Sequence, residues 1–188
     1  EITTRLVGSE MCIRDSGNIY SDNRTELEGD SSSINVEVAY LGKNSQTIDY
    51  NIAVNHWGKD THSGINAAGA LMDSAKKVFR GTIDFKTGSS DSKGSENETV
   101  IMLGDDVVNK TVPLILCSEE NVEGSHGATI GELDDDTLFY FESRGIGRKE
   151  AERIMAYAAL KRLIRLSDDK EFAEQAKNAL GIIDTDEE

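Results

Sequence analysis

Large apolar residues recur at every second position in two neighbouring parts of the chain, residues 34–40 and residues 48–54. Successive side chains of a β-strand point to opposite faces, so this alternation predicts two half-buried strands. Residues 42–45, which include Gly42 and Asn44, form the predicted turn between them. The two strands could pair as a hairpin, or they could stack as successive coils of a solenoid.

Four further short apolar runs follow, and clusters of Gly, Ser, Asn or Asp separate them. They occupy residues 65–72, 78–85, 100–103 and 112–117. Short strands at such spacing, with no helical stretch between them, fit a β-sandwich, a barrel or a β-solenoid. Residues 89–97 are small and polar and can bury little apolar area, so they are predicted to form a solvated loop.

After Gly147 the apolar period changes to 3.6 residues, which indicates an amphipathic α-helix that extends to about residue 166. A second helix is predicted to begin after the N-cap residue Ser167 and to end at Gly181. The predicted apolar stripe of the first helix consists of Ala151, Ile154, Met155, Ala158, Leu163 and Ile164.

Residues 6–16 follow neither period, and we assign no function to Cys12. The predicted organisation therefore has three parts. Residues 1–16 are a non-native or disordered segment, residues 17–142 form a β core, and residues 143–188 form a helical subdomain with an acidic tail. Because the chain does not begin with Met, we expect it to be a fragment.

The chain has 35 acidic and 20 basic residues, and its formal net charge of −15 disfavours binding to nucleic acids or to anionic membrane surfaces. It has no apolar run long enough to span a membrane and no recognisable leader, which favours a cytoplasmic protein. Its cysteines, Cys12 and Cys117, lie far apart and form no metal-binding pair or disulfide framework.

Candidate chemistry is concentrated in residues 111–143, which hold eight carboxylates, no Lys or Arg, and a single histidine, His126. Cys117 ends an apolar run, so we expect it to be a buried and inert thiol. His56 and His62 have a spacing at the edge of that of a zinc half-site, but no cysteine pair accompanies them, and a structural role is the favoured interpretation.

Three consecutive carboxylates, Asp134, Asp135 and Asp136, could bind a hard cation or act on a sugar in the groove of a β-helix. A solvated turn is the favoured interpretation, because three successive residues of a strand cannot all face one ligand. Residues 144–165 form a basic island in the acidic chain, which on its own indicates a solvated helix face.

Three short sequences together resemble the C-terminal signature of the SufB/SufD family, which assembles iron-sulfur clusters. They are Ser-His-Gly-Ala-Thr-Ile-Gly at residues 125–131, Asp-Asp-Asp-Thr-Leu-Phe-Tyr-Phe at residues 134–141, and Ser-Arg-Gly-Ile at residues 143–146. The resemblance covers roughly residues 18–181. Its His-Gly-Ala-Thr sequence is similar to the SufD branch, since the SufB branch usually has Glu after the histidine.

This resemblance implies a right-handed parallel β-helix, or β-solenoid, followed by a small helical segment. It implies a scaffold subunit without catalysis of its own, which forms a heterodimer with a SufB-like subunit and docks a SufC-like ATPase. The chain contains no P-loop sequence, so any ATP hydrolysis is expected in the partner. The region implied to dock SufC includes Arg144, Gly145, Ile154, Met155 and Ala158.

His126 matches the family's interface histidine, which makes it the candidate ligand of iron or of a transient iron-sulfur cluster shared with SufB. Neutral imidazole is a suitable iron ligand. No permanently bound cofactor and no catalytic residue are implied. Some family members have Cys two residues before this histidine, and here that position is Gly124, so a thiolate is absent from it. The alternative function is that of a β-helical polysaccharide lyase or hydrolase that uses Asp134, Asp135 and Asp136.

Overall fold

The computed structural model describes residues 5–12, 17–166 and 178, with side chains described for residues 17–161 and 178. Within these residues, nine strands form two parallel sheets, sheet A with order β1-β3-β5-β7-β9 and sheet B with order β2-β4-β6-β8. The strands are β1 (Arg5–Cys12), β2 (Ile19–Leu27), β3 (Ser33–Gly42), β4 (Thr47–His56), β5 (His62–Met72), β6 (Lys76–Phe85), β7 (Ser92–Leu103), β8 (Val108–Cys117) and β9 (Val122–Glu132).

The chain passes from one sheet to the other after every strand, and each strand pairs in parallel with the strand two elements later. Equivalent residues lie about one coil apart: Asn51 donates a hydrogen bond to Asp22, 29 positions earlier, and Asn121 donates one to Asp91, 30 positions earlier. The fold is therefore a parallel β-solenoid, as predicted. The first two predicted strands are β3 and β4, which belong to different sheets. They therefore neither pair as a hairpin nor stack on each other, and together they form one coil of the solenoid.

Polar residues in the left-handed backbone region form the corners of the solenoid. Ser31, Asp60 and Asp91 occupy equivalent places at one corner, with φ of 57°, 54° and 64°, and Asn44 and Asp73 do so at the other, with φ of 54° and 57°. Asn and Asp tolerate this region because their short side chains bond locally. One such bond joins neighbouring coils, because Ser31 Oγ donates to Asp60 Oδ2 at 2.9 Å.

The main core lies between the two sheets. In β4 the alternation is regular, since Ile48, Tyr50, Ile52 and Val54 are buried and the residues between them are partly exposed. The last five residues of β3 are buried on both faces, because a helix covers the outer face of sheet A there. That second core consists of Ala39, Leu41, Ala70, Leu103, Ala156 and Leu160.

The structure differs from two expectations about the β region. Arg5–Cys12 forms strand β1, in register with β3, although its sequence lacks a strand period. Residues in register with buried Ile34 and Val38 are Leu6 and Glu10, and this mixed character hid the strand. The rest of segment 1–16 lies outside the described residues.

The predicted loop at residues 89–97 is largely the start of β7, which begins at Ser92. Ser89 and Ser92 are fully buried, because small hydroxyl side chains fill the narrow corner of the coil. Ser92 Oγ lies 2.7 Å from Thr61 Oγ1 of the preceding coil. Hydrogen bonds at the corner and in the ladder replace the apolar burial that this stretch lacks.

Two helices follow the solenoid, α1 (Asp135–Glu142) and α2 (Arg148–Leu166), and α2 ends where predicted. The helical part thus begins earlier than the predicted boundary at residue 143. The second predicted helix, after Ser167, lies outside the described residues. No helix of the described chain is long and apolar enough to cross a membrane.

The predicted apolar stripe of α2 is only partly correct. Ala151 is buried as predicted, but Ala158 is exposed, and Ile154 and Met155 are half-buried. The fully buried face instead also contains Ala156 and Leu160. Alanines occur on several sides of this helix, so its sequence pattern does not decide which side packs. The flat surface that Ala39 and Ala70 provide on sheet A decides it. Side chains beyond residue 161 are not described.

This packing predicts losses of stability of different size at two nearby positions of α2. Leu160→Ala should lower the free energy of unfolding by about 2–5 kcal/mol, because it leaves a cavity between helix and sheet. Ala158→Asp should lower it by less than about 1 kcal/mol, because residue 158 is exposed. Urea unfolding followed by circular dichroism measures both, and a larger loss for Ala158→Asp would show that the helix packs through the other face.

Candidate functional site

The candidate site is the terminal coil of the solenoid, formed by β8 and β9. Each of these strands ends the order of its sheet, and no strand that the structure describes pairs with their outer edges. β9 is exposed along almost its whole length, and every second residue of β8 is exposed. Unpaired strand edges carry free backbone donors and acceptors, so this end of the solenoid can accept another chain.

The outer face of β8 carries an exposed apolar row, which we call the β8 row. Its members are Val108, Val112, Leu114 and Leu116, with 38%, 49%, 46% and 41% of their surface exposed. Their register partners on β6 include the polar residues Lys76, Arg80 and Thr82, so the face changes from polar to apolar at its edge. An apolar row beside an unpaired edge is typical of a protein interaction surface.

His126 lies on β9 with its side chain exposed, at the open end of the solenoid. Its register partner on β7 is Glu96, which is buried in the interior, so His126 is on the inward face of the terminal coil. Gly124 is the preceding inward residue, and a Cβ there would lie 2.9 Å from a methyl group of Ile115 on β8. Gly124 therefore has a packing role beside the candidate site.

Cys117 is exposed and forms no disulfide within the described chain, so the expectation of a buried thiol was wrong. It is the last residue of β8, and no further described coil covers it. The structure does not bring it to His126. Ile115 of β8 faces Gly124 of β9. Cys117 lies two residues after Ile115, and His126 lies two residues after Gly124. The two strands run in opposite directions, so Cys117 and His126 are about 13 Å apart along them.

A buried polar cluster lies directly beneath the terminal coil. The Lys77 ammonium forms an ion pair with Glu98, and both side chains are almost completely buried. Glu98 also accepts hydrogen bonds from Tyr40, at 2.9 Å, and from Thr111 of β8. Burial lowers the pKa of Lys77, which Glu98 opposes, and burial together with Glu98 raises the pKa of Tyr40 well above its usual value.

Glu96 is the second carboxylate of this cluster and is only 1% exposed. Burial raises its pKa to about 7, the nearby Glu98 carboxylate acts in the same direction, and Lys77 acts against both. The carboxylate lies against Gly81 of sheet B, where a Cβ would be 2.3 Å from Glu96 Cδ. One of its oxygens, Oε2, has no hydrogen-bond partner among the described residues.

His56 has a structural role, which agrees with the favoured interpretation of the histidine pair. It is fully buried, and its ring nitrogens Nδ1 and Nε2 lie 2.7 Å from Thr61 Oγ1 and 2.8 Å from Ser63 Oγ. Both nitrogens are therefore used, whereas His62 is exposed. Within the described residues, no group of three or more His, Cys, Asp or Glu side chains could hold a metal ion.

The three aspartates form the start of α1. Asp134 is its N-cap and accepts a hydrogen bond from the backbone N–H of Thr137 at 2.7 Å, which lowers the pKa of Asp134. Asp135 and Asp136 lie in the first turn, where carboxylates interact favourably with the helix dipole. The start of α1 thus accounts for all three carboxylates, one as the cap and two through the helix dipole.

The other candidate partner-binding residues lie around the two helices. Arg144 is exposed and lies over the ring of Tyr140 at 4.4 Å, and Gly145 has a φ of 79°, which ends this turn in the left-handed region. Phe139 and Tyr140 of α1 are 72% and 53% exposed. Ala158 is exposed on α2, beside residues of sheet A such as Asn66 and Asn97.

Sequence reasoning missed Tyr40, Lys77, Glu96 and Glu98 as a group. A weak signal was present, because Glu96 and Glu98 are in phase with buried Val100 along β7. Residues 89–97, which include Glu96, are small and polar, and this composition predicts a solvated loop. The contact of Tyr40 with Glu98 spans 58 residues of sequence and has no local signature.

These features define a parallel β-solenoid whose open terminal coil presents a histidine and is followed by helices. The family model for the SUF system of FeS cluster assembly, SufBD core domain, matches residues 11–159. The chain belongs to the SufB/SufD family and is SufD-like.

Two relatives are named iron-sulfur cluster assembly protein SufD. The protein from Bacillus subtilis (strain 168) is 30% identical over 148 residues, which cover 79% of this chain and 34% of that protein. The protein from Escherichia coli (strain K12) is 24% identical over 157 residues, which cover 84% of this chain and 37% of that protein. The chain thus spans about a third of the length of these relatives.

The environment of His56 predicts a specific acid sensitivity. Burial, with a smaller contribution from His62, lowers the pKa of His56 from 6.5 to about 4. Between these pH values the unfolded chain binds a proton that the folded chain does not, so the free energy of unfolding falls as the pH decreases. Glutamine cannot titrate, so we expect the free energy of unfolding of His56→Gln to fall by about 3 kcal/mol less than that of the wild type over this pH range.

Urea unfolding at several pH values measures this difference. His62→Gln is the matched control, because His62 is exposed and contributes less than burial to the lowered pKa of His56, so this variant should keep most of the wild-type pH dependence. Parallel profiles for the wild type and His56→Gln would contradict the assignment of the acid sensitivity to His56.

Proposed function

We propose that the chain is part of a SufD-like scaffold subunit in iron-sulfur cluster assembly, which pairs with a SufB-like subunit and docks a SufC-like ATPase. The observation that supports this most is the terminal coil, where two unpaired strand edges, the β8 row and His126 occur together. Membership of the SufB/SufD family supports the same process.

The open end of the solenoid is the proposed surface for the SufB-like subunit. A strand from a partner can extend a sheet at an unpaired edge, because main-chain hydrogen bonds require no particular sequence. Burial of the β8 row would add apolar stabilisation of about 25 cal/mol for each Å² removed from water. A partner with the same fold and its own open end would provide both kinds of contact.

His126 is the proposed protein ligand of the iron or of the transient cluster, which is the cargo of the assembly reaction. It is exposed at the end where the partner would sit. Gly124 and Gly127, on either side of it along β9, keep the neighbouring surface low. No permanently bound cofactor is proposed for this chain.

The exposed surface around α1 and α2 is the proposed SufC docking region, and its members are Phe139, Tyr140, Arg144, Gly145 and Ala158. Exposed aromatic rings next to an arginine are common at the energetic centres of protein interfaces. Ile154 and Met155, which were also implied in docking, are half-buried and would contribute less surface.

We propose no catalytic residue in this chain, and ATP hydrolysis would belong to SufC. The alternative function, a polysaccharide lyase or hydrolase, depended on Asp134, Asp135 and Asp136. Asp134 already caps α1 and the other two lie in its first turn, so the geometry does not favour this alternative. Release of sugars from polysaccharides by the purified chain alone would contradict the scaffold proposal.

Pairing through the β8 row predicts that Leu114→Asp abolishes co-purification with the SufB-like subunit. The substitution places a charge in the centre of the row, where pairing would bury it without a partner. Tyr20→Asp is the matched control, because Tyr20 is 70% exposed on β2, at the opposite end of sheet B. Retained pairing of Leu114→Asp, with unchanged circular dichroism, would show that the partner binds elsewhere.

Docking of SufC predicts that Arg144→Glu and Ala158→Asp each weaken co-purification with the ATPase subunit. Both residues are exposed, so we expect unchanged circular dichroism and unchanged pairing with the SufB-like subunit. Lys93→Glu serves as the control, since Lys93 is exposed at the start of β7, away from the helices. Normal SufC binding by both variants would remove this surface from the proposal.

A ligand role for His126 predicts that His126→Asn folds and assembles normally but lowers the yield of iron-sulfur cluster. Asn is polar and of moderate size, but it lacks the imidazole lone pair. Visible absorbance during anaerobic reconstitution of the complex measures the yield. His62→Asn is the matched control, because His62 is also exposed on sheet A. Equal yields for the three proteins would leave this chain a purely structural partner.

A further inference from the structure

We propose that Glu96 positions His126: a rotation of the exposed imidazole ring toward the interior brings one ring nitrogen to the free carboxylate oxygen of Glu96, which accepts a hydrogen bond from it inside the solenoid. The other ring nitrogen then keeps its lone pair and faces the open end. The ligand role of that nitrogen rests on the proposed function, whereas the contact between Glu96 and His126 does not.

The strand register brings the two side chains together. Glu96 of β7 and His126 of β9 are direct partners in a parallel pair, so their side chains leave the sheet on the same face. Neighbouring strands lie about 4.8 Å apart, which is within reach for a glutamate and an imidazole. Glu96 lies beneath, in the covered coil, and His126 lies above it, in the open coil.

One carboxylate oxygen of Glu96 accepts no hydrogen bond from the described residues. Lys77, Tyr40 and Thr111 all donate to Glu98. Glu96 Oε2 has no hydrogen-bond partner among the described residues, although only 1% of the residue is exposed. A buried carboxylate oxygen without a donor is costly, so a nearby N–H group is expected to serve it.

His126 is the donor that the neighbouring coil offers. The carboxylate lies against Gly81 of sheet B, and the register partner of Gly81 on β8 is Pro113. Glycine has no side chain and proline has no N–H group, so sheet B offers no side-chain donor at this level. On β9, the inward neighbours of His126 are Gly124 and Ala128, which also lack a polar side chain.

Burial decides which role each group can have. Because Gly81 has no side chain, the Glu96 carboxylate has room to lie in the interior of the solenoid, behind His126. A ligand would approach His126 from the exposed side, so Glu96 would contact the imidazole and not the ligand. A carboxylate behind a ligating histidine fixes its tautomer and its ring orientation, and loss of such a partner typically lowers metal affinity about 10-fold to 100-fold.

Nuclear magnetic resonance of the ¹⁵N-labelled ring tests the contact in the chain itself. At about pH 8.5 imidazoles are largely neutral, and the nitrogen shifts report which ring nitrogen carries the proton. We expect His126 to hold one tautomer with a slowly exchanging ring N–H. Glu96→Leu should restore a mixture of tautomers and fast exchange, and Glu96→Gln, which keeps an acceptor oxygen, should retain the wild-type pattern.

Glu123→Gln is the matched control, because Glu123 is an exposed carboxylate on the same strand, and it should leave the His126 signals unchanged. Unchanged His126 signals in Glu96→Leu would overturn the proposal. If Glu96→Leu does not fold, Gly81→Ala replaces it, because the added methyl group must displace the carboxylate. Unchanged His126 signals in Gly81→Ala would overturn the proposal equally.

Binding of Fe²⁺ to the complex under anaerobic conditions separates this proposal from the proposed function. Glu96→Leu should weaken binding about 10-fold to 100-fold, and Glu96→Gln should weaken it less. If His126→Asn binds Fe²⁺ like the wild type, the ligand role fails, while the ring signals still decide the contact. If His126→Asn loses binding but Glu96→Leu does not, the positioning role is wrong and the ligand role stands.

Discussion

The main-chain ladder between successive coils is the interaction on which this structure depends. Each strand pairs with the strand two elements later, so every coil is stabilised by the coil that covers it. The last coil of a solenoid has no such cover, and a parallel sheet cannot close on itself there. The unpaired edges of β8 and β9 and the exposed position of His126 follow from this one constraint. The geometry of the fold thus creates the candidate site before any particular side chain is considered.

The interior gains charged groups as it approaches the open end. The buried residues of β4 include Ile48, Ile52 and Val54, whereas β6 and β7 add Lys77, Glu96 and Glu98 to apolar residues such as Phe79 and Val100. A buried ion pair adds little net stability, because desolvation of its charges offsets their attraction. Two glycines provide room for these side chains: a Cβ at residue 69 would lie 2.3 Å from the Tyr40 ring, and one at residue 81 would collide with Glu96. Packing alone does not explain why buried polar side chains are accommodated by glycines here. One of these side chains, that of Glu96, is the register partner of His126.

The sequence predicted the strands that carry several apolar residues, and it failed at the start of β7, which carries none. β4 shows the alternation clearly, while the inward residues at the start of β7 are Ser92, Gly94 and Glu96, so hydrophobic period could not reveal that strand. The start of β7 is held by pairing with β9, whose partner residues are 30 positions away in the chain, so the local sequence does not specify it. For the site, the family motif located His126. The motif could not locate Glu96, since that contact depends on the register between two coils.

A single imidazole cannot hold an iron-sulfur cluster, which normally takes several protein ligands. Among the described residues, Cys117 is the one other soft ligand at the open end, and it lies about 13 Å from His126 along the strands, too far to share a cluster. A cluster on His126 would therefore need further ligands from outside the described residues. Under our proposal a SufB-like subunit supplies them at the open edge, which links the pairing proposal and the ligand proposal in one direction: pairing could occur without a cluster, but the proposed cluster could not form without pairing. On this proposal, loss of pairing would prevent cluster formation even where His126 and Glu96 are intact.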